Sequence, residues 1–286
     1  LDTVTHTLFG LTIYGGINKE GMSEKLKKAY FLTAVGGSQI PDIDVISQLW
    51  DTEGQYQMWH RGITHSLFMV PVWALILIII SYLIWRVKDR RLFYIGMLAV
   101  FIHNTSDLFN AWGTGYFEPI SSTRITFGTL PIVDVVIWVI ILGGYLYKRH
   151  KKATYRVYHI IWLLILLHVG IQSAQGYYIY QSYHDDYEQH VLSASFIPWN
   201  FSVIGKNEGT VEIISTNLFG HEELQYTLES AEEADLSSLF EERPEAKTLY
   251  EWAPFVVIVD DDDRIGVYDP RFYQNGQSFL FEYIMK

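Results

Sequence analysis

The sequence predicts a mainly α fold: a polytopic helical membrane bundle of about six membrane segments, followed by a small C-terminal β-rich extracytoplasmic domain. Three observations predict it. Apolar residues concentrate before about position 182, and most acidic residues lie after it, so the formal charge of -11 belongs mainly to the tail. The basic residues before that point gather in alternate loops. After Tyr183 the hydrophobic pattern changes from long runs to short alternating ones.

The segments follow in order. Residues 4–17 and 29–40 are short and carry Gly and Thr, so each fits either a sheltered helix or an interfacial piece. Residues 66–85 form the clearest span, about twenty residues around the run Ala74-Leu75-Ile76-Leu77-Ile78-Ile79-Ile80, enough to cross ~30 Å of hydrocarbon at ~1.5 Å per residue. Residues 92–108, 130–147 and 157–180 are also long and apolar enough on sequence alone. Basic clusters at 19–28, 86–91 and 148–156 mark the inner loops, which puts loops 41–65 and 106–129 and both termini outside. The expected division is a helical membrane domain over 1–182 and an acidic β-rich domain over 183–286. In the second, Val211-Glu212-Ile213-Ile214-Ser215 and Phe255-Val256-Val257-Ile258-Val259 read as strands, and residues 229–242 as a helix.

Composition excludes several functions. The chain has no cysteine, so disulfides, thiolate ligands and a cysteine nucleophile are absent, and any metal is held by nitrogen and oxygen. No basic stripe runs along the chain, which argues against a nucleic-acid partner. The first residues carry no basic n-region and no small-residue cleavage site, so the opening segment is expected to stay in the mature protein.

On this threading the polar residues that a membrane segment should avoid fall on one outer edge: His6, Asp42, Asp44, His60, His65, His103, Asp107 and Asp134. His103 and Asp107 stand four apart and share a helix face, offering one nitrogen and one oxygen to an ion; the plainer reading is a helix-end hydrogen bond. Asp42 and Asp44 follow Pro41 where the chain must extend or turn, although Asp-x-Asp also serves as an ordinary cap. His60-Arg61-Gly62-Ile63-Thr64-His65-Ser66 sets two imidazoles and a guanidinium about a glycine, and the rings converge only if the backbone bends there. Arg61 suits an anionic oxygen, as does Arg124, with lipid headgroups as the other reading. Asp134 opens the fifth segment, where a bare carboxylate facing lipid would cost several kcal/mol. His159 and His168 sit at the wrong depth and read as packing or interhelical hydrogen bonds. Asp260-Asp261-Asp262-Asp263 lacks the spacing of a calcium loop and reads as a solvated turn.

The motifs Thr5-His6-Thr7, Pro41-Asp42-Ile43-Asp44, the block from His60 to Ser66, and His103-Asn104-Thr105-Ser106-Asp107 resemble the bacterial membrane-bound metal-dependent hydrolases of the YdjM type, over roughly the first 140 residues. The resemblance implies a bacterial cell-membrane protein that binds metal through His6, Asp42, Asp44, His60, His65, His103 and Asp107 and hydrolyses a substrate the family does not specify. Asp134 matches the family's last carboxylate, but Val135 follows where proline is expected.

The expected activity is hydrolysis of an ester or phosphoester of an amphiphilic substrate, a membrane lipid among them, at the outer face. Eight candidate ligands exceed the four of a tetrahedral ion, so one or two divalent ions are expected, zinc first and manganese or magnesium as alternatives. Asp44 or Asp107 would act as base and Arg61 would meet the substrate anion. An ion-coupled transporter or sensor, or a non-catalytic protein with a structural metal, are the competing readings. No protein partner is specified.

Overall fold

Seven helices precede the strands because the apolar runs of the first 182 residues carry no turn chemistry until a cap interrupts them. The computed structural model describes residues 1–286. Its helices are α1 (Thr3–Gly15), α2 (Glu24–Gly37), the short α3 (Tyr56–Trp59), α4 (Met69–Trp85), α5 (Arg91–Asp107), α6 (Val135–Lys151) and α7 (Val157–Ser182). Strands β1 (Gln189–Ala194), β2 (Asn200–Asn207), β3 (Thr210–Asn217) and β4 (Glu222–Glu229) follow, then α8 (Ser237–Glu242) and α9 (Pro244–Trp252). The chain closes with β5 (Val257–Asp260), β6 (Arg264–Tyr268), β7 (Tyr273–Gln274), β8 (Gln277–Ser278) and β9 (Phe281–Met285). Two compact units result, Leu1–Asp44 with Arg61–Ser173, and Val45–His60 with Ala174–Lys286.

In the first unit, side-chain caps set the helix starts. Asp2 accepts from the N–H groups of Val4 and Thr5, Ser23 from that of Leu26, and Asp134 from that of Ile137. α4 and α6 end at Arg86 and Lys152, both left-handed (φ 56° and 49°). Small residues let the helices meet backbone to backbone. A Cβ on Gly10 of α1 would stand 2.7 Å from Val35 Cα of α2, and one on Gly96 of α5 would stand 3.2 Å from Ala74 Cα of α4. Phe9, Leu130, Ile137, Ile141, Tyr158, Ile161 and Ile165 close the core between α1, α6 and α7.

The expectation of six crossing segments does not hold. α7 alone is long and apolar enough to cross a membrane by itself, with a second span only if Tyr56–His65 and Met69–Trp85 are taken together as one bent element. The reason is length: at ~1.5 Å per residue, α4, α5 and α6 with 17 residues each reach about 26 Å, short of a ~30 Å hydrocarbon layer. α1 and α2, with 13 and 14 residues, are shorter still. The apolar stretches that look continuous in sequence are cut by αL caps and 3₁₀ turns: residues 66–68 lie outside α4, and residues 130–134 precede α6.

In the second unit, β1-β2-β3-β4 form an antiparallel sheet and β5-β6-β9 a second one. Alternation along the strands gives the first sheet two buried faces. Leu192, Phe201, Val203 and Ile214 pack with Ile179 and Tyr183 at the end of α7, whereas Ile204, Val211, Ile213 and Leu228 pack with Val257 and Tyr268 of the second sheet. The helix expected over 229–242 is confined to Ser237–Glu242, and α9 follows from Pro244. Asp261 lies in the turn before β6, accepting from the N–H groups of Asp263 and Arg264.

Candidate metal centre

Three separate stretches of the first unit carry polar side chains to one place. Asp42 stands in the 3₁₀ segment Ile40–Leu49 that follows α2, His65 ends the 3₁₀ turn Ile63–His65 ahead of α4, and His103 and Asp107 occupy the last turns of α5. Four-residue spacing puts the last pair on one face of α5. His65, His103 and Asp107 are fully buried, and Asp42 is half-buried.

The hydrogen bonds at the outer nitrogens settle which way the rings face. His103 Nδ1 lies 2.8 Å from the carbonyl oxygen of Ser38, which only accepts, so Nδ1 carries a proton, and the neutral ring keeps its lone pair on Nε2. His65 Nδ1 lies 3.2 Å from Asp44 Oδ2 and 3.0 Å from Thr64 Oγ1. The Thr64 hydroxyl itself donates to Asp44 Oδ2 at 2.7 Å, so the His65 Nδ1–H again meets acceptors. The inward Nε2 atoms stand 3.1 Å apart. Asp42 Oδ1 lies 3.2 Å from His65 Nε2 and 3.5 Å from His103 Nε2; Asp107 Oδ2 lies 3.5 Å and 3.7 Å from the same two atoms.

Four acceptor atoms converging in a buried space repel one another unless positive charge sits among them. A proton bridges two atoms; a metal ion satisfies all four. The spacing suits one: ligands ~2.0–2.1 Å from a tetrahedral ion are about 3.3 Å apart, within the 3.1–3.7 Å that separates the two ring nitrogens from each other and from the carboxylate oxygens. Asp107 Oδ2 makes no hydrogen bond within the fold, as expected of an atom reserved for a ligand. These residues could hold a metal ion.

The remaining predicted residues surround this set. Asp44 Oδ2 accepts from the Arg61 N–H at 3.0 Å as well as from Thr64, so it orients His65. Arg61 is buried; its Nη1 donates to Asn110 Oδ1 at 2.9 Å, and its Nε lies 3.5 Å from Asp107 Oδ2. The bend expected at Gly62 is made by Arg61, whose φ is 57°, next to a Gly62 at −82°. His6 stacks on His103 with ring centroids 3.8 Å apart and sets Nε2 3.2 Å from Asp107 Oδ1. His60 closes α3 and belongs to the second unit, apart from the set described here. Asp134 is not among them either: it caps α6 and pairs with His168 Nε2 at 2.9 Å, the interhelical hydrogen bond foreseen for His168. Sequence reasoning passed over Ser38 and Thr64, whose only signal was their position beside the Asp42 and His65 motifs.

Comparison with known proteins gives this geometry a family. The model of the YdjM inner membrane proteins matches residues 1–178, a stretch that includes every residue of this cluster. The chain belongs to the YdjM inner membrane protein family. As a member of that family it is a membrane protein, and the family description names no reaction. The uncharacterized protein YfhP of Bacillus subtilis is 28% identical over 234 residues, which is 76% of this chain and 71% of YfhP. No solved structure matches the chain.

Proposed function

We propose that the chain is a membrane-bound metal-dependent hydrolase acting on an ester or phosphoester of an amphiphilic substrate at the outer face of a bacterial cell membrane. The observation that supports it is the convergence of four acceptor atoms, from Asp42, His65, His103 and Asp107, in a space where they would otherwise repel. A divalent ion held there supplies Lewis acidity and activates water near neutral pH.

The chain's own residues prepare that space. Ser38 and Asp44 hold the His103 and His65 rings with Nε2 inward, and His6 and Arg61 brace the two oxygens of Asp107. Arg61 brings the positive charge that an anionic substrate oxygen would meet. With Oδ2 accepting from Arg61 and Thr64, Asp44 is a positioning residue in this proposal rather than the base. Lys148, Arg149, Lys151, Lys152 and Arg156 precede α7, and the positive-inside rule then puts its C-terminal end and residues 183–286 outside.

One observation favours a second reading. Four protein donors fill the coordination of a tetrahedral zinc, as in structural sites, whereas catalysis needs an open position. A hydrolase therefore favours an ion of higher coordination number, and two carboxylates suit manganese or magnesium. The deciding experiment purifies the full chain in detergent without chelator, measures bound metals by elemental analysis, and assays lipid and phosphoester substrates with each ion. Metal-dependent turnover lost in His65→Ala/His103→Ala supports the hydrolase; tightly held metal with no turnover across the panel supports the structural reading; no metal after reconstitution overturns both.

A further inference from the structure

A cleft of about 550 Å³ runs along the outside of the first unit between α1, α6 and the start of α7, within the ~300–1,000 Å³ of small-molecule sites. Its walls are apolar, with Leu8 and Leu11 from α1 and Leu142 and Tyr145 from α6. Leu11, Leu142 and Tyr145 are exposed. The floor exists because residue 15 is glycine: a Cβ there would stand 2.5 Å from the Tyr158 ring.

Charge enters at one end only. Lys19, just past α1, and Lys148, in the last turn of α6, both line the cleft. The Lys19 ammonium donates to the carbonyls of Tyr14 and Ile17 at 2.6 and 3.2 Å, and Lys148 lies over the Tyr158 ring at 4.7 Å. Neither meets a carboxylate, so two positive charges share one mouth. Burial, and then the charge of Lys148, pushes Lys19 below the usual lysine range, a cost that an anion would remove. His6 stands near the other end of α1, so a headgroup at the lysines lies at the opposite end of that helix from the candidate metal centre.

We propose that this cleft binds one anionic phospholipid, its acyl chain along Leu8, Leu11, Leu142 and Tyr145 and its phosphate between Lys19 and Lys148. The occupant is chosen by charge complementarity and by the family's membrane setting: an apolar trough ending in an unneutralised cationic pair matches a chain joined to a phosphate, and anionic lipids concentrate at the basic face of membrane proteins. The site is independent of the metal centre and of any hydrolysis.

Native mass spectrometry of the full chain in detergent, titrated with dioleoylphosphatidylglycerol or dioleoylphosphatidylcholine, tests it. The wild type should retain the anionic lipid about 25-fold better, since each lysine near an anionic headgroup contributes on the order of a fivefold effect and the two multiply. Lys19→Gln/Lys148→Gln should erase that preference, and Leu142→Trp, which fills the trough from an exposed position, should weaken both lipids. Equal retention of the two lipids by the wild type overturns the proposal, as does a preference that survives in the folded double variant. Displacement of the lipid by glycerol phosphate at equal concentration overturns it as well, because the site would then read only the anion. If the double variant fails to fold, the wild-type comparison and Leu142→Trp still decide.

Discussion

The two units solve opposite burial problems. The first buries His6, His65, His103 and Asp107 completely and leaves Leu83 and Leu166 more than half exposed, at 60% and 64%. The second buries Phe201, Val211 and Val257 completely and turns most of its acids outward, Asp269 being buried against Arg271. A water-soluble fold does what the second unit does, since apolar burial drives it. The first unit keeps at its centre polar groups that bond to neighbouring carbonyls and carboxylates and could hold a cation, and its apolar exterior suits the membrane that its family occupies. The same side-chain types therefore report different solvents when only their location changes.

The strongest way to break this contrast is to remove the polar centre. His65→Ala/His103→Ala should bring bound divalent metal down to background in elemental analysis, while circular dichroism keeps the strand signal of the second unit; retention of wild-type metal content would show that the four-residue set is not the ligand shell. Next in size is a change to the apolar centre of the second unit. Phe201→Ala should cost about 3–5 kcal/mol in a denaturant melt of that unit, because Phe201 is fully buried against α7 and β1.

A smaller effect separates holding a metal from orienting its ligand. Asp44→Asn keeps an acceptor for Thr64 but weakens the pull on the His65 Nδ1–H, and metal affinity should fall about 10–100-fold in a competition titration, with the fold intact. Asp51 offers a pH test within the second unit. Although burial pushes its carboxyl up, the N–H groups of Gln55, Tyr56 and Glu53 outweigh that and hold it below the usual range. A depressed carboxyl contributes stability above its unfolded pKa and loses it as pH falls through the folded value. Thermal melts should therefore soften in acid for the wild type, and Asp51→Asn should flatten that part of the profile. The smallest change is expected at Leu166→Ala on the outer face of α7, within about 0.5 kcal/mol in detergent melts; a larger loss would mean that this face has a protein neighbour.

How much of this was legible in the sequence differs from residue to residue. His103 and Asp107 were readable because four-residue spacing on a helix is a local geometric fact. Asp42 and His65 were readable as unusual polar residues beside apolar runs, but their meeting point lies 61 residues from Asp42 to His103 along the chain and depends on where α2 ends. Asp134 and His168 were separated by the same kind of reasoning, yet they pair with each other, since α6 and α7 bring an N-cap against a helix interior. The span count failed because hydropathy sees apolar composition and not the caps and 3₁₀ turns that shorten α4 and α6.

By itself the sequence determined the helical first part and the strand-rich second part, since periodicity and turn residues act over a few positions. It also determined the available ligands, because without cysteine only His and carboxylates remain. Tertiary structure alone decided which of the eight candidate residues converge, which carboxylate orients a ring instead of facing the centre, and which apolar run becomes a helix long enough to cross a membrane. The physical reason is that distances of 3.1–3.5 Å between atoms on separate segments are set by packing, through contacts such as Gly10 on Val35 and Gly96 on Ala74, and no local pattern encodes them.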